Sequence, residues 1–398
     1  MNDMMCVLPF NSVSISALGE IRVCCNSGKS LGYTLSTIES DQEIINNKKI
    51  IEIRSDFLNG VKNPTCDRCW EMEKFSSHSF RTTANDNFSL KTNQVVKFSE
   101  TINFENIQYL DITLGNKCNL ACRMCNPYSS SLVAKQWTAL GHQNPNSELL
   151  DFDRNTRERI LNLIKKSPNL SSIYMLGGEP LISEFHDEIV KYLIDSNRAK
   201  DIELHYSTNL QIDVERKLEE WSHFKMIDLS VSIDGVDETY EYIRWPGKWG
   251  KLENNLYALK EYTSGRTNIR PNIATTVQNL NVDNLPDLIN KISLLSNNTF
   301  SFYFIPVTFF NELEIIPTHV LETAVVDLSK LDNTGIHKLP DLKKLITSAA
   351  EKSLTVNKEK VVEFFRWQRL YDGLRNQNLF KLKPHFKELA DRYGIETW

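Results

Sequence analysis

The sequence predicts an α/β fold in which parallel strands alternate with helices. Short runs of β-branched and aromatic residues alternate with longer amphipathic segments over residues 99–310 of the 398-residue chain. Polar or glycine-rich residues follow these runs, at the end of the strand where parallel βα folds place their chemistry. A cysteine-rich segment, residues 1–98, precedes this region, and residues 311–398 show helical patterns rich in charged and aromatic residues.

Periodicity predicts the individual elements of the central region. The strand runs are 108–114, 172–177, 202–208, 226–233, 269–277 and 300–307. The helical patterns between them include TRERILNLIKK, HDEIVKYLIDS, VERKLEEWSHF, KLENNLYALKEYT and NLPDLINKISLL. Strands that alternate with helices in this way predict a parallel sheet of βα units. The residues that follow the first five runs are GNKCNLACRMC, GGEP, TN, DG and TVQN.

Length and charge limit the classes of protein to which the chain can belong. A chain of 398 residues predicts two or three compact units, and its net charge of −5 argues against non-specific nucleic-acid binding. No basic region followed by an apolar run marks a secretory signal, and no apolar stretch predicts a membrane span. The expected compartment is the cytoplasm, where structural disulfides are rare. The eight cysteines therefore point to metal or cluster ligation.

Within residues 1–98, cysteines from separate loops predict a closed metal site. Cys66 and Cys69 form a C-x2-C pair, and Gly19 precedes Cys24 by five positions. The predicted ligands are Cys6, Cys24, Cys66 and Cys69. Four thiolates suit an iron–sulfur cluster or a structural zinc ion, and Cys25 is an alternative to Cys24. The polar stretch from about 75 to 105 is interpreted as a connector between two units.

A second group of cysteines, Cys118, Cys122 and Cys125, forms a C-x3-C-x2-C loop after the first strand run. Three thiolates are one short of the four that usually hold a [4Fe–4S] cluster, so one iron would keep an open position. An open position is what a metal needs in order to act on a bound molecule. The alternatives are a zinc site and three unrelated thiols, but no histidine lies near the loop.

The run LDITLGNKCNLACRMC, followed about fifty residues later by GGEP, resembles the radical S-adenosylmethionine (SAM) superfamily. The resemblance covers roughly residues 105–310 and implies a partial (β/α)6 TIM-like barrel. It implies that Cys118, Cys122 and Cys125 hold a [4Fe–4S] cluster whose open iron binds SAM. The implied partner is an external one-electron reductant of the flavodoxin or ferredoxin type.

The same resemblance assigns SAM-binding roles to matching positions. The glycines of GGEP allow close backbone approach, Glu179 would accept the SAM amino group, and Arg244 would bind its carboxylate. Met124 stands where the family often has an aromatic residue against adenine. The full set is Met124, Gly177, Gly178, Glu179, Pro180, Ser207, Thr208, Asn209, Ser232, Asp234, Arg244 and Thr275. Ordinary turn, strand-core and helix-end roles are the alternatives at these positions.

The N-terminal segment is similar to the auxiliary-cluster domains called SPASM and twitch, which pair a glycine-preceded cysteine with a later C-x2-C. This similarity implies a second, auxiliary [4Fe–4S] cluster, with zinc as the alternative. The segment departs from the commoner pattern because it precedes the barrel. The expected domains are 1–98 (auxiliary cluster and connector), 99–310 (barrel) and 311–398 (helical extension).

Three classes of function are compatible with these motifs. The resemblance favours an enzyme that abstracts hydrogen from a C–H bond of a peptide or protein, without a Ser-His-Asp triad. The second is an enzyme that oxidises or rearranges a small metabolite such as a sugar or cyclitol. The third is a non-catalytic metal-binding protein. In the C-terminal stretch VVEFFRWQRLYDGLRNQNLFKLKPHF, an aromatic helix face packed on the barrel is preferred to a nucleic-acid-binding segment.

Overall fold

The computed structural model describes residues 3–74, 79–91, 98–142, 149–307, 311–331, 336 and 338–398. The strands are β1 Ser12–Ile15, β2 Ile21–Arg22, β3 Tyr109–Thr113, β4 Ser172–Leu176, β5 Glu203–Thr208, β6 Met226–Ser232, β7 Ile269–Val277 and β8 Ser301–Pro306. They form one sheet in the order β2-β1-β3-β4-β5-β6-β7-β8. The six predicted strand runs correspond to β3–β8, and this confirms the α/β class with a parallel-strand sheet.

The five predicted amphipathic patterns each correspond to a helix with similar bounds. From the N-terminus they are α1 Leu8–Asn11, α2 Gln42–Asn46, α3 Lys48–Leu58, α4 Asp67–Met72, α5 Phe80–Lys91, α6 Ser131–Ala139, α7 Arg154–Lys166, α8 Glu184–Asp195 and α9 Val214–Trp221. They continue with α10 Asp237–Ile243, α11 Trp249–Thr263, α12 Leu285–Ser296, α13 Thr318–Ser329, α14 Leu339–Ser353, α15 Lys358–Arg375, α16 Leu379–Leu382 and α17 Phe386–Tyr393. No helix among the described residues is both long enough and apolar enough to cross a bilayer.

The chain divides into two compact units. The first comprises residues 1–117, 149–206 and 223–227, and the second comprises residues 118–148, 207–222 and 228–398. The predicted boundaries at residues 98 and 310 stay a prediction.

In the first unit, the N-terminal segment supplies strands to the sheet. Strand β1 pairs with β3 in parallel and with β2 in an antiparallel hairpin, and β3 pairs with β4 and β4 with β5 in parallel. Alternate side chains of β3, such as Leu110 and Ile112, are fully buried, as are Ile173 of β4 and Leu204 of β5. This period of two is the reason that the runs form strands with one face in the core.

In the second unit, strands β7 and β8 pair in parallel, with Ile273 opposite Phe302. The C-terminal region is helical, as predicted, and its aromatic residues are packed. Phe364 of α15 contacts Phe386 of α17 at 5.0 Å between ring centroids, and Trp367 stacks on Trp137 of α6 at the same distance. The aromatic residues of this stretch therefore contribute to the core of the second unit.

Helix α5 forms within residues 75–105, the stretch interpreted as a connector. Arg81 donates a hydrogen bond to the carbonyl of Met5 at 2.7 Å and forms an ion pair with Glu73 at 2.8 Å. Asn85 also donates to Met5 and accepts from the N–H of Val7. These contacts with the N-terminal segment stabilise a helix that the polar composition does not predict. Residues 75–78 and 92–97 of the predicted connector lie outside the described residues.

Candidate functional site

The cysteine loop of the second unit is held by backbone hydrogen bonds. The N–H groups of Ala121 and Arg123 donate to the carbonyls of Trp245 and Ile243 at 2.6 and 2.9 Å. The N–H of Cys125 donates to the carbonyl of Cys122 at 3.0 Å. All three cysteines of the loop are free thiols. The loop therefore has a defined path between its first and last thiol.

Hydrogen-bond donors face two of the loop's sulfur atoms. The N–H of Leu120 donates to Cys118 Sγ at 3.4 Å, and Asn209 Nδ2 lies 3.9 Å from the same atom. Arg244 Nη1 lies 3.8 Å from Cys122 Sγ. Burial raises the pKa of the Cys122 thiol, and the positive charge of Arg244 opposes this rise. Nearby donors and cations favour the thiolate form of cysteine, which is the form that ligates a metal. The residues present therefore fit a cluster with cysteine ligands.

Arg244 and Asp234 form a buried ion pair beside this loop. Arg244 Nη2 lies 2.7 Å from Asp234 Oδ2, and the N–H of Thr276 donates to Asp234 Oδ1 at 2.7 Å. Arg244 was predicted to bind the carboxylate of SAM, and Asp234 to contact SAM. In this structure Arg244 bridges Asp234 and Cys122, which places both predicted residues next to the cysteine loop.

The other predicted residues of the second unit lie in or next to strands, except Met124, which lies in the cysteine loop. Thr208 Oγ1 accepts from the N–H of Leu210 at 3.0 Å, and Asn209 donates to Asn119 of the cysteine loop at 2.8 Å. The hydroxyl of Thr275 donates to the carbonyl of Ile233 at 2.8 Å, and Thr275 is fully buried. The remaining predicted residues, Met124, Ser207 and Ser232, are half-buried.

GGEP lies in the first unit, directly after β4, and packs on the segment that leads into the cysteine loop. The N–H of Gly178 donates to the carbonyl of Gly115 at 3.1 Å, and that of Glu179 donates to the carbonyl of Lys117 at 2.8 Å. Gly177 has a φ of +141°, a backbone conformation that residues other than glycine rarely adopt. A Cβ on Gly178 would lie 2.3 Å from the Lys117 carbonyl oxygen. The two glycines are thus required by close backbone approach.

The last two residues of GGEP form a turn. Pro180 begins a short 3-10 helix, Pro180–Ile182, and Glu179 accepts a hydrogen bond from the N–H of Leu181 at 3.2 Å. Glu179 is buried. Its carboxylate was predicted to accept the SAM amino group, and here it caps the turn.

The four N-terminal cysteines predicted as ligands line one cavity in the first unit. The cavity is bordered by Cys6, Cys24, Cys66 and Cys69, together with Arg68 and Arg81. Burial raises the pKa of the Cys24 and Cys66 thiols to about 12 each. Asn26 Nδ2 donates to Cys69 Sγ at 3.4 Å. Among the described residues, no group of three or more His, Cys, Asp or Glu side chains is arranged around a single-ion position.

Cys25 does not line this cavity. It interacts instead with the buried carboxylate of Asp111, which raises the pKa of the Cys25 thiol in addition to the effect of burial. The structure therefore separates two adjacent cysteines that the sequence leaves as alternatives.

A family comparison identifies the region that contains the cysteine loop and GGEP. Residues 112–292 match the model of the radical SAM superfamily. This part of the chain belongs to the radical SAM superfamily. The match agrees with the family that the cysteine and glycine motifs resemble.

Curated relatives match less than half of this chain. The chain is 26% identical over 186 residues to GTP 3',8-cyclase of Clostridium perfringens (strain SM101 / Type A), covering 46% of the chain and 51% of that protein. It is 24% identical over 186 residues to the sporulation killing factor maturation protein SkfB of Bacillus subtilis (strain 168), covering 45% of the chain and 38% of that protein. The chain thus spans about half the length, or less, of the curated relatives it matches.

Two solved structures show weaker likeness. Native anSMEcpe with bound AdoMet is 16% identical, with a TM-score of 0.39, covering 59% of this chain and 62% of that chain. Streptococcus suis SuiB bound to S-adenosylmethionine is 15% identical, with a TM-score of 0.37, covering 80% of this chain and 66% of that chain.

Sequence reasoning missed Arg123, which lies inside the cysteine loop of the radical SAM region. Its side chain is fully buried and forms an ion pair with Asp372 of α15 at 2.6 Å. It also donates to Gln368 at 2.6 Å and to the carbonyl of Tyr242 at 3.0 Å. The sequence gives only a weak signal of this role. Arg123 is a charged residue between two cysteines, and its partner Asp372 lies about 250 positions away.

Proposed function

We propose that this chain is a radical SAM enzyme in which Cys118, Cys122 and Cys125 hold a [4Fe–4S] cluster. When bound, the cluster and SAM supply reductive cleavage of SAM to a 5'-deoxyadenosyl radical, which takes hydrogen from a C–H bond of the substrate. The observation that carries the proposal is the anchored three-thiol loop, with donors toward Cys118 and Cys122, inside a region that matches the superfamily.

The residues around the loop would position the cluster and SAM. Arg244 keeps a positive charge beside Cys122, and its partner Asp234 fixes the guanidinium in a buried position. The backbone of Gly177 and Gly178 leaves no side chain between β4 and the segment that precedes Cys118. A SAM amino group at Glu179 and a one-electron reductant of the flavodoxin or ferredoxin type belong to the same proposal.

We infer a peptide or protein as the substrate, because one relative is a maturation protein for sporulation killing factor. A small molecule is the second candidate, since another relative is GTP 3',8-cyclase. Both matches cover a similar share of this chain. Incubation with synthetic peptides encoded by short reading frames beside the gene separates the two, because a peptide substrate would change mass only in the presence of SAM.

The four N-terminal thiols support the further proposal of an auxiliary [4Fe–4S] cluster. They line one cavity, and the arginines beside it can balance the negative charge of thiolates. A structural zinc ion is the competing occupant. A four-cysteine site leaves no open metal position, so this centre would carry electrons or stabilise the fold.

Anaerobic reconstitution with iron and sulfide, followed by addition of SAM and dithionite, tests the central proposal. We expect the wild-type protein to form 5'-deoxyadenosine, measured by liquid chromatography. Cys122→Ala should reduce this product to the level without protein, because only two of the three ligands remain. Circular dichroism checks that the variant is folded. Undiminished 5'-deoxyadenosine formation by a folded Cys122→Ala protein would show that the assignment is wrong.

A further inference from the structure

The sheet of the first unit has two faces of different chemistry. On one face, Leu110, Ile112 and Ile173 are fully buried in an apolar core. The opposite face of β3 carries Tyr109 and Asp111, which alternate with the core residues. No residue of this second face takes part in the proposed cluster or SAM sites, although Asp111 precedes the first cysteine of the loop by only seven positions.

Strand register aligns polar side chains on this second face. Asp111 of β3 is opposite Tyr174 of β4, and Tyr174 is opposite His205 of β5. Directly paired residues of neighbouring strands point to the same side of a sheet. The rings of Tyr174 and His205 are 6.3 Å apart between centroids and nearly perpendicular, at 77°. Both residues are half-buried, whereas Asp111 beside them is buried.

Asp111 is the unusual member of this row. It is 1% exposed, and neither of its carboxylate oxygens meets a donor at hydrogen-bond geometry among the described residues. Burial raises the pKa of Asp111 to about 6. This effect is larger than the opposing effects of the Cys25 thiol, the Cys25 N–H and the Arg22 charge, which lower the pKa. A buried carboxylate without adequate donors is costly, so a ligand that brings a cation would be stabilised there.

We propose that Asp111, Tyr174 and His205 form a binding site for a protonated amine of the substrate. The ammonium group donates to the Asp111 carboxylate, and the neighbouring aromatic rings contact it and the adjoining carbon atoms. In a peptide this amine is a lysine side chain or the N-terminus. The inference rests on the proposed function only in taking the bound molecule to be the substrate.

Binding of two small probes tests this site. Benzylamine and benzyl alcohol share a ring and differ in the ammonium group, and calorimetry under anaerobic conditions measures their affinities for the reconstituted full-length protein at neutral pH. We expect the wild-type protein to prefer benzylamine by at least about tenfold, because a charge-assisted hydrogen bond contributes that much. In Asp111→Asn the preference should fall to about twofold or less.

Glu203→Gln is the matched control. Glu203 lies on the same face of β5, but its carboxylate already pairs with Lys225 at 2.9 Å, so the variant should keep the wild-type preference. Tyr174→Leu gives a second test and should weaken benzylamine binding about threefold or more through loss of the ring. Equal affinity of wild-type protein for the two probes, an unchanged preference in Asp111→Asn, or unchanged binding in Tyr174→Leu would each overturn the proposal.

The readouts separate this site from the cluster chemistry. Dithionite-driven formation of 5'-deoxyadenosine without substrate depends on the proposed cluster and SAM, and probe binding is measured without turnover. A protein that binds benzylamine selectively but forms no 5'-deoxyadenosine would contradict the proposed function and leave the amine site supported. The reverse result would overturn the amine site alone.

Discussion

At the scale of single residues, close packing explains why glycine occupies the second position after β4. A Cβ on Gly178 would meet the carbonyl oxygens of Lys117 at 2.3 Å and of Asn116 at 2.6 Å. Both are backbone atoms of the segment that leads directly into Cys118. They cannot rotate away as a flexible side chain could, so the backbone itself would have to move.

Gly178→Ala should therefore lower the free energy of unfolding by about 1–3 kcal/mol or more, the usual cost of forcing atoms into a packed site. We also expect the variant to retain less iron after reconstitution, because the segment before Cys118 shifts. Urea unfolding and iron analysis measure the two effects.

Gly250→Ala serves as the control for this substitution. Gly250 lies in the first turn of α11, and a Cβ there has no heavy atom within 4 Å. Alanine should leave stability unchanged or raise it by about 0.5–1 kcal/mol, since glycine disfavours helix. Equal effects of the two alanines would contradict the role of close approach at Gly178.

At the scale of elements, helix α15 contacts the cysteine loop through the buried carboxylate of Asp372. Asp372 Oδ1 accepts from Arg123 at 2.6 Å and from the hydroxyl of Tyr242 at 3.0 Å. Its Oδ2 accepts from the N–H of Leu379 at 2.6 Å and from the indole of Trp398 at 3.0 Å. The C-terminal helices are thereby tied to the loop between Cys122 and Cys125.

Asp372→Asn leaves the Arg123 charge buried without its counter-ion. We expect a loss of about 3–5 kcal/mol in the free energy of unfolding, the range observed when one partner of a buried pair is removed. The iron bound per chain should fall as well, because Arg123 positions the cysteine loop. Denaturant titration and absorbance of the reconstituted cluster provide the measurements.

Arg366→Gln on the same helix is the matched control, because Arg366 forms only an exposed ion pair with Glu363 at 3.3 Å. Exposed pairs contribute about 0–1 kcal/mol, so this variant should retain stability and iron. If Asp372→Asn behaved like Arg366→Gln, α15 would not position the loop.

At the scale of the whole molecule, the chain carries two groups of cysteines, one in each unit. Cys6, Cys24, Cys66 and Cys69 belong to the first unit, whereas Cys118, Cys122 and Cys125 belong to the second. Two [4Fe–4S] clusters would give about eight irons per chain. One cluster and one zinc ion would give about four irons and one zinc.

The adjacent pair Cys24 and Cys25 allows a sharp test of the N-terminal group. Cys24→Ser should lower the iron content from about eight to about four per chain, because it removes one of four ligands. Cys25→Ser should retain about eight, since Cys25 lies against Asp111 and does not border the cavity. Iron loss in Cys25→Ser with none in Cys24→Ser would contradict the assignment, and stoichiometric zinc in the wild-type protein would exclude the auxiliary cluster.

Much of the fold and part of the candidate site follow from local patterns. The positions of β3–β8 could be predicted because strand periodicity and the residues after each strand are properties of short segments. The cysteine spacing and GGEP likewise lie within single loops, so the superfamily could be named before any contact was known. Local patterns did not predict α5, where contacts of Arg81 and Asn85 with the N-terminal segment outweigh a polar composition.

The sequence by itself determined the βα order, the three-cysteine loop and the superfamily, because each depends on spacing within a few residues. Only the tertiary structure decided which of Cys24 and Cys25 borders the cavity, that Arg123 pairs with Asp372, and that Asp111, Tyr174 and His205 form one row across three strands. These relations join residues far apart in the chain. They arise from strand register and from the burial of charge, which no local pattern of residues records.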